Sequence, residues 1–470
     1  MKVLLINPPS ENEIIGNNPP IIEEERGYNP PLGLLFIAGY LEEFTEYSVK
    51  VLDTQVEELS YPEIEDIVRE KQPEVVGITA MTLTLVDVIK TVKLIKKVNK
   101  NIKVVLGGPH VYIFPNETIN LEGVDYLVLG EGEEVFKDLL DYMEDYKKLR
   151  SIEGLVFKEN GKIVNTGPRP LIENLDILPF PARHLVPYKR YSSLVLRRRP
   201  ITTTFTSRGC PYKCSFCARP HLGKKFRARS AKNVVDEIEG CTKMGIYAFL
   251  VYDDTFTVNK RRVIEVCDEL RKRKLDVEWD IRARVDTVDE QLLKRLKMAG
   301  CRGIHYGIEA GTEKILKVLN KKITISRTKQ IFSLTKKNKI STLGYFMIGN
   351  PGETREDIFE TIKLMEELDP DYVHVTILTP FPATKIYFDG LKSEIIEKDY
   401  WKDFSQNPTP DFIPPHWGEF FTKDELVELL VFAYRNFYTR PGYIMKNLVK
   451  TRSFSELKRK IKAGVKVLKL

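Results

Sequence analysis

Between Lys2 and Asp145, short runs of Val, Ile and Leu alternate with stretches of helical periodicity, and every apolar run stops at a turn. Unbroken apolar runs suit strands buried on both faces, and their alternation with helices builds βαβ units on a parallel sheet. The expected strands are Lys2–Asn7, Ser48–Asp53, Val75–Thr79, Lys103–Gly107 and Tyr126–Leu129. Helices are expected near Leu34–Glu43, Tyr61–Lys71, Thr84–Val98 and Glu133–Tyr146. In a doubly wound sheet, ligands bind outside the carboxyl ends of the strands. Those ends read Asn7-Pro8-Pro9, Asp53-Thr54-Gln55, Thr79-Ala80-Met81-Thr82, Gly107-Gly108-Pro109-His110 and Gly130-Glu131-Gly132-Glu133. The glycines either admit a bulky ligand to the backbone or only make tight turns. Neither G-x-G-x-x-G nor G-x-x-x-x-G-K-[ST] occurs here, which argues against a nicotinamide or nucleoside triphosphate site.

A chain of 470 residues holds roughly two to four domains, and at 42% hydrophobic and 30% charged it can bury sizeable cores. No apolar run approaches the ~18 residues of a membrane span. Met1-Lys2-Val3-Leu4-Leu5-Ile6-Asn7 runs straight into Pro8-Pro9, which reads as a buried strand and not a signal peptide. Six cysteines are too sparse for a disulfide framework, so a reducing, cytoplasmic location is expected. The net charge of +7 is unevenly spread: residues 435–470 hold eleven Lys/Arg against Glu456 alone, a net +10, leaving 7 − 10 = −3 for the rest. This is a local basic device, and no nucleic-acid partner is expected.

Residues 146–195 read as a linker with a hairpin, Leu155-Val156-Phe157 and Ile163-Val164 flanking an Asn160-Gly161 turn. Arg197, Arg198 and Arg199 then precede a strand, Ile201–Thr206. They are either a solvated stretch or a surface for an anionic cofactor or lipid. The stretch Arg208-Gly209-Cys210-Pro211-Tyr212-Lys213-Cys214-Ser215-Phe216-Cys217 follows. Three thiolates at C-x3-C-x2-C can hold three irons of one [4Fe–4S] cube and leave the fourth open to a small molecule. A structural zinc is the alternative, with His221 four residues on; it wants four ligands, and there is no second C-x-x-C. Cys241, Cys267 and Cys301 read as small buried hydrophobes.

Cys210-x-x-x-Cys214-x-Phe216-Cys217 resembles the motif of radical S-adenosylmethionine (SAM) enzymes, and the likeness extends over roughly residues 196–385. The resemblance implies that SAM binds the open iron and is split reductively to a 5′-deoxyadenosyl radical, with ferredoxin or flavodoxin as electron donor. It also implies a partial (β/α)6 TIM-type barrel, for which Ala248–Tyr252, Glu278–Ala283, Gly303–Gly307, Ser341–Ile348 and Tyr372–Thr379 supply the further strands. By the same resemblance, Phe216 and the segment around Ile348, Asn350 and Pro351 flank the adenine. Asp253, Asp254, Arg284, Glu309 and Thr312 then belong to the SAM site, with Arg284 suited to the carboxylate.

A Rossmann-like domain directly before such a barrel resembles the cobalamin-binding branch of the family, which includes lipid- and tetrapyrrole-modifying methylases and cyclases. The strand-end residues Asn7, Pro8, Asp53, Gln55, Thr79, Met81, Thr82, Gly107, Gly108, Pro109, Gly130, Glu131 and Gly132 are then the expected corrin cradle. In many cobalamin proteins an Asp-x-His-x-x-Gly loop supplies an axial histidine; Gln55 stands in its place here. The cobalt is therefore expected to lack a protein histidine, the alternative being an empty, degenerate domain.

The expected organisation is a cobalamin domain at 1–145, the linker at 146–195, the barrel at 196–390 and a mostly helical, basic region at 391–470. Within that last region one helix is expected over Phe421–Tyr438, stopped by Pro441-Gly442. A second, basic and amphipathic, opens at the capping box Ser453-x-x-Glu456. Such a helix can lie on an anionic membrane or pack on the barrel. Three functional readings compete: methylation of an unactivated carbon of a hydrophobic, lipid-like substrate; ring closure or oxidation of a lipid or tetrapyrrole; and a non-enzymatic, structural metal-binding protein. RNA methylthiotransferases of the family usually carry three further cysteines upstream, and residues 1–209 contain none.

Overall fold

The computed structural model describes residues 1–18, 28–193 and 195–450, so the capping box at Ser453 and the helix expected after it lie outside the described residues. Two sheets carry the architecture. The first is seven-stranded, in the order β2-β1-β3-β4-β5-β6-β7. Its parallel part is β1 (Lys2–Asn7), β2 (Ser48–Asp53), β3 (Val75–Thr79), β4 (Lys103–Gly107) and β5 (Tyr126–Val128), at or within a residue of the bounds expected from the apolar runs. Val3, Leu4, Leu5 and Ile6 are all buried, because helices cover both faces. The order reverses between β1 and β3, and that switch point is where a doubly wound sheet opens a ligand crevice.

The segment expected to be a linker is partly sheet. β6 (Leu155–Glu159) extends the first sheet antiparallel to β5, and β7 (Lys162–Asn165) pairs antiparallel with β6. Asn160 and Gly161 both take positive φ, 50° and 75°, as a tight two-residue hairpin turn requires.

The second sheet has six parallel strands in sequential order: β8 (Ile201–Thr204), β11 (Ala248–Val251), β12 (Glu278–Ala283), β13 (Cys301–Glu309), β14 (Ser341–Ile348) and β15 (Tyr372–Ile377). Between β8 and β11, the short β9 (Ser207–Arg208) pairs antiparallel with β10 (Arg227–Ala228). β8 and β15 do not pair, so the barrel is partial. The helix Lys423–Tyr438 covers the β15 edge: Tyr434 Oη accepts from Val375 N at 3.0 Å and donates to Val375 O at 3.1 Å, and Tyr438 Oη does the same at Val373. Two phenols thus replace the missing strand. Pro441 does not end the helical region; it occupies the first turn of a further helix, Pro441–Lys450, where its missing N–H costs nothing. No helix among the described residues is long and apolar enough to cross a membrane.

The carboxyl ends of the two sheets are joined to each other. Asn17, in the loop after β1, donates through Nδ2 to Thr379 Oγ1 (3.1 Å) and Pro415 O (3.0 Å), just past β15. Asn18 Oδ1 accepts from Ile377 N at 3.0 Å. The fully buried Trp401, on the helix Tyr400–Gln406, packs into the core of the first domain and donates from Nε1 to Pro380 O at 2.8 Å. At the opposite end of the barrel, Arg197 N and Arg198 N donate to Glu278, the first residue of β12, and Arg198 Nη2 pairs with Asp276 at 2.7 Å. The arginines therefore precede the strands and cannot greet a ligand at the mouth.

Candidate active site

The three cysteines lie on the loop between β9 and β10. Gly209, which introduces them, has φ of 80°, and a Cβ there would fall 2.2 Å from Lys225 O, so only glycine fits. Ser215 N donates to Leu319 O (3.0 Å), Asn320 Nδ2 to Lys213 O (2.6 Å) and Ile386 N to Ser215 O (3.1 Å), stapling the loop to segments after β13 and β15. Cys210, Cys214 and Cys217 are free thiols, the first two half-buried and the third exposed. Arg284 Nη1 lies 3.8 Å from Cys214 Sγ. Among the described residues no group of three or more His, Cys, Asp or Glu side chains is placed to hold a single metal ion. Three separated thiols suit a cube, whose irons are themselves separate. Cys241, Cys267 and Cys301 are buried in the barrel core as packing residues.

Several strand-end residues expected at SAM turn out to be engaged by the protein. Asp253 is fully buried and accepts four hydrogen bonds, from Thr206 N (2.6 Å), Ser207 N (3.1 Å), Thr206 Oγ1 (2.5 Å) and Ser207 Oγ (2.5 Å). Its carboxylate braces the loop before the cysteines and has nothing left for SAM. Arg284 grips Asp286 bidentately through Nε and Nη2 (2.9 Å, 2.9 Å) and donates from Nη2 to Lys321 O at 2.6 Å, leaving Nη1 toward Cys214. Burial works to discharge it, but the Asp286 carboxylate outweighs this and holds the guanidinium firmly charged. Thr312 caps the helix Glu313–Val318 and bonds Asp357 at 3.2 Å. Asp254 pairs with Arg219 at 2.8 Å; burial raises its carboxyl above the ordinary range.

Other expectations place residues together. Glu309 accepts from Lys321 Nζ at 2.6 Å, and that ammonium lies 5.8 Å from the Phe216 ring centroid, next to the cysteines. Glu309 takes φ of 72°, a left-handed conformation costing a non-glycine residue about 1–3 kcal/mol, of the kind that clusters at functional sites. Ile348 ends β14, and Asn350 is held by Glu353, whose Oε2 accepts from Asn350 N at 2.8 Å. Burial pushes the Glu353 carboxyl up to about 7. Pro351 stays half-exposed beside them. Lys321 and Glu353 escaped the sequence reading: no motif marks Lys321, and Glu353 falls one turn past a strand end.

At the first sheet, Asn7 Nδ2 (2.7 Å) and Tyr191 Oη (2.6 Å) donate to Asp53, and Gln55 Nε2 donates to Pro8 O at 3.0 Å. These residues close the ends of β1 and β2 on themselves, so Asp53 is structural and Gln55 is not held open toward a ligand. Glu131 is also committed, to Arg208 and Arg227 (2.7 Å each). Gly132 backs onto Ile37, which a Cβ would approach to 3.1 Å. The centre of the cradle is glycine. A Cβ on Gly107 would stand in ordinary contact with Val128 O at 3.9 Å, and one on Gly130 with His221 O at 3.7 Å, on the loop that carries the cysteines. Thr79 is half-buried and Met81 is 48% exposed. Gly108, with φ of 107°, packs its α-carbon against Ala80 and leads through Pro109 to His110. That ring is wholly buried; burial pushes it down to about 3, and Thr82 Oγ1 lies 3.1 Å from Nδ1. Gly107, Gly108 and Gly130 are half-exposed at these strand ends, where glycine lets a large cofactor approach the backbone.

The B12 binding domain family matches residues 20–140 and the Radical SAM superfamily matches residues 204–365. An uncharacterized methyltransferase of Pyrococcus horikoshii is 36% identical over 473 residues, covering 99% of this chain and 98% of the relative. The anaerobic magnesium-protoporphyrin IX monomethyl ester cyclase of Rubrivivax gelatinosus is 29% identical over 464 residues, 96% of this chain and 80% of the cyclase. The cobalamin-dependent S-adenosylmethionine radical enzyme OxsB, solved with aqua-cobalamin bound, shares the fold with a TM-score of 0.76 at 17% identity, over 98% of this chain and 70% of that one. Cobalamin, SAM and a [4Fe–4S] cluster are thus the cofactors of this enzyme. The chain belongs to the cobalamin-binding radical SAM enzymes.

Proposed function

We propose that the enzyme transfers a methyl group to an unactivated carbon of a hydrophobic substrate. One observation carries the reading: the strand-end glycines of the first sheet meet the loop that carries the cysteines, a Cβ on Gly130 falling 3.7 Å from the His221 carbonyl. When bound, the cofactors supply a transferable methyl group on one side of this chamber and a hydrogen-abstracting radical on the other. The chain's part is to hold them face to face and to exclude water. Met81 and Phe381, each just past a strand end on opposite sheets, remain 48% and 36% exposed and offer an apolar lining. Ring closure is the second reading, favoured by the likeness to the cyclase over 96% of this chain. Anaerobic reconstitution with SAM, cobalamin and reductant, followed by mass analysis of host lipids and tetrapyrroles, separates the two. Methylation adds one methylene to the product mass, whereas ring closure removes two hydrogens.

The basic tail supports a peripheral site of action at an anionic membrane, with ferredoxin or flavodoxin as electron donor. On the helix Pro441–Lys450, Ile444, Met445 and Val449 are 45%, 60% and 81% exposed, directly before the most basic residues. Each Lys or Arg near an anionic surface contributes about 1 kcal/mol. The full chain is therefore expected to float with anionic liposomes at low salt, and a chain lacking residues 451–470 to stay behind. Equal flotation of the two would remove the support for a membrane site.

A further inference from the structure

Below the strand ends, the barrel interior carries a second set of ionisable side chains. On β12, Trp279, Ile281 and Ala283 enter the core against the helices, which turns Asp280 and Arg282 to the lumen. Arg282 is in register with His305 of β13, and Tyr345 of β14 with His374 of β15, so four adjacent strands contribute to one region. His305 Nδ1 lies 3.2 Å from Tyr345 Oη, and His305 Nε2 lies 3.4 Å from Asp280 Oδ2. Arg282 stacks on Tyr252 with its guanidinium carbon 4.1 Å from the ring centroid. Gly303 and Gly307 flank His305 on the same face of β13. A Cβ on the first would fall 2.5 Å from Asp280 Oδ2 and one on the second 2.6 Å from Glu309 Oε1, so glycine is what lets these polar groups fit. Closed TIM barrels fill their lumen with layers of branched apolar side chains. Here Arg282, His305, Tyr345 and His374 all stay partly exposed, and the lumen is open.

Asp254 is paired with Arg219 and Glu309 with Lys321, while Asp280 lies 3.4 Å from His305. Arg282, which cannot shed its proton, makes no direct ion pair among the described residues and reaches only Asp254 at longer range and the Tyr252 and Tyr345 side chains. A guanidinium facing an open lumen without a carboxylate gripped to it is placed to take an anionic group. We propose that this lumen binds an oxyanion, a carboxylate or phosphate ester, at the inner end of the substrate, with Arg282 as the charged ligand. The site rests on the reading of a hydrophobic substrate above and defines its polar end: an amphiphile enters anion first and leaves its apolar body near the reacting groups. Burial raises the Tyr345 hydroxyl above its ordinary range, so it stays protonated against His305.

The test uses the reconstituted holoenzyme and four ligands: octanoate, octyl phosphate, octanol and SAM, titrated by calorimetry. At least one anionic probe should bind about tenfold more tightly than octanol, the discrimination of one charge-assisted hydrogen bond. Arg282→Gln should abolish that advantage, Arg282→Lys should keep part of it, and SAM affinity should change less than about twofold in either. Iron and cobalamin contents equal to the unaltered enzyme establish that the variants are folded. Undiminished anion binding by Arg282→Gln overturns the site. So does a loss confined to SAM, which would make the arginine a ligand of SAM's own carboxylate. Equal binding of octanol and both anions overturns the oxyanion site alone and leaves the apolar reading standing; binding of no probe overturns both.

Discussion

Replacing Cys214 by alanine is expected to abolish SAM cleavage and the thiolate-to-iron absorption of the reconstituted protein. Two thiolates cannot retain a cube against loss to solvent. Loss of a supporting partner of a metal ligand already costs about 10–100-fold. Loss of a ligand itself should exceed that, with iron per chain falling close to zero. Cys210→Ala and Cys217→Ala should behave alike. Cys241→Ala, by contrast, removes a buried packing atom, costs about 1 kcal/mol of stability and leaves iron unchanged. Iron analysis and the yield of 5′-deoxyadenosine decide the matter; full cleavage by the Cys214→Ala protein would refute the assignment.

The strands were legible in the sequence because each is an unbroken apolar run ended by a turn residue, as Val3-Leu4-Leu5-Ile6 before Asn7 shows. The thiol loop was legible because its ligands are local. Polar roles were not. Asp253 and Arg284 occupy the strand ends where SAM ligands were expected, yet their partners are set by the fold: Thr206 stands 47 residues before Asp253, and Cys214 stands 70 before Arg284. A carboxylate spent on backbone N–H groups and one open to a cofactor look the same in a sequence. The same holds for Arg282, two residues from Arg284 and with no carboxylate paired to it among the described residues. Nor could periodicity reveal that Tyr434 and Tyr438 cap a sheet edge, since their spacing of one helical turn is also that of ordinary core residues.

Glu131→Ala is expected to weaken both the protein and its hold on the cluster. Its carboxylate joins the two sheets: Oε1 accepts from Arg208 and Oε2 from Arg227, both at 2.7 Å, while Arg208 also pairs with Glu133. The two arginines are register partners across β9 and β10, the strands that open and close the thiol loop, and Arg208 is separated from Cys210 only by Gly209. Two acids and two bases balance here. Removing Glu131 leaves two buried guanidiniums against one carboxylate, and breaking such a pair costs about 3–5 kcal/mol. Burial opposes ionisation of Glu131, but Arg208 and then Arg227 outweigh it and hold the carboxyl below the ordinary range. Its folded pKa is therefore depressed, so its contribution is fully present at neutral pH and is lost as acid titrates it below the unfolded value of about 4.3. Urea unfolding of the reconstituted protein should show the loss at neutral pH, with the difference from Glu131→Ala shrinking in acid. Because the network fixes the thiol loop from the side of the cobalamin domain, iron retention after gel filtration should fall as well. A double cycle with Arg208→Ala separates coupling from two independent losses: if the double variant is more stable than the sum of the single losses predicts, by about 1 kcal/mol or more, the residues act as one latch. Additive effects with full iron retention would reduce the network to ordinary packing.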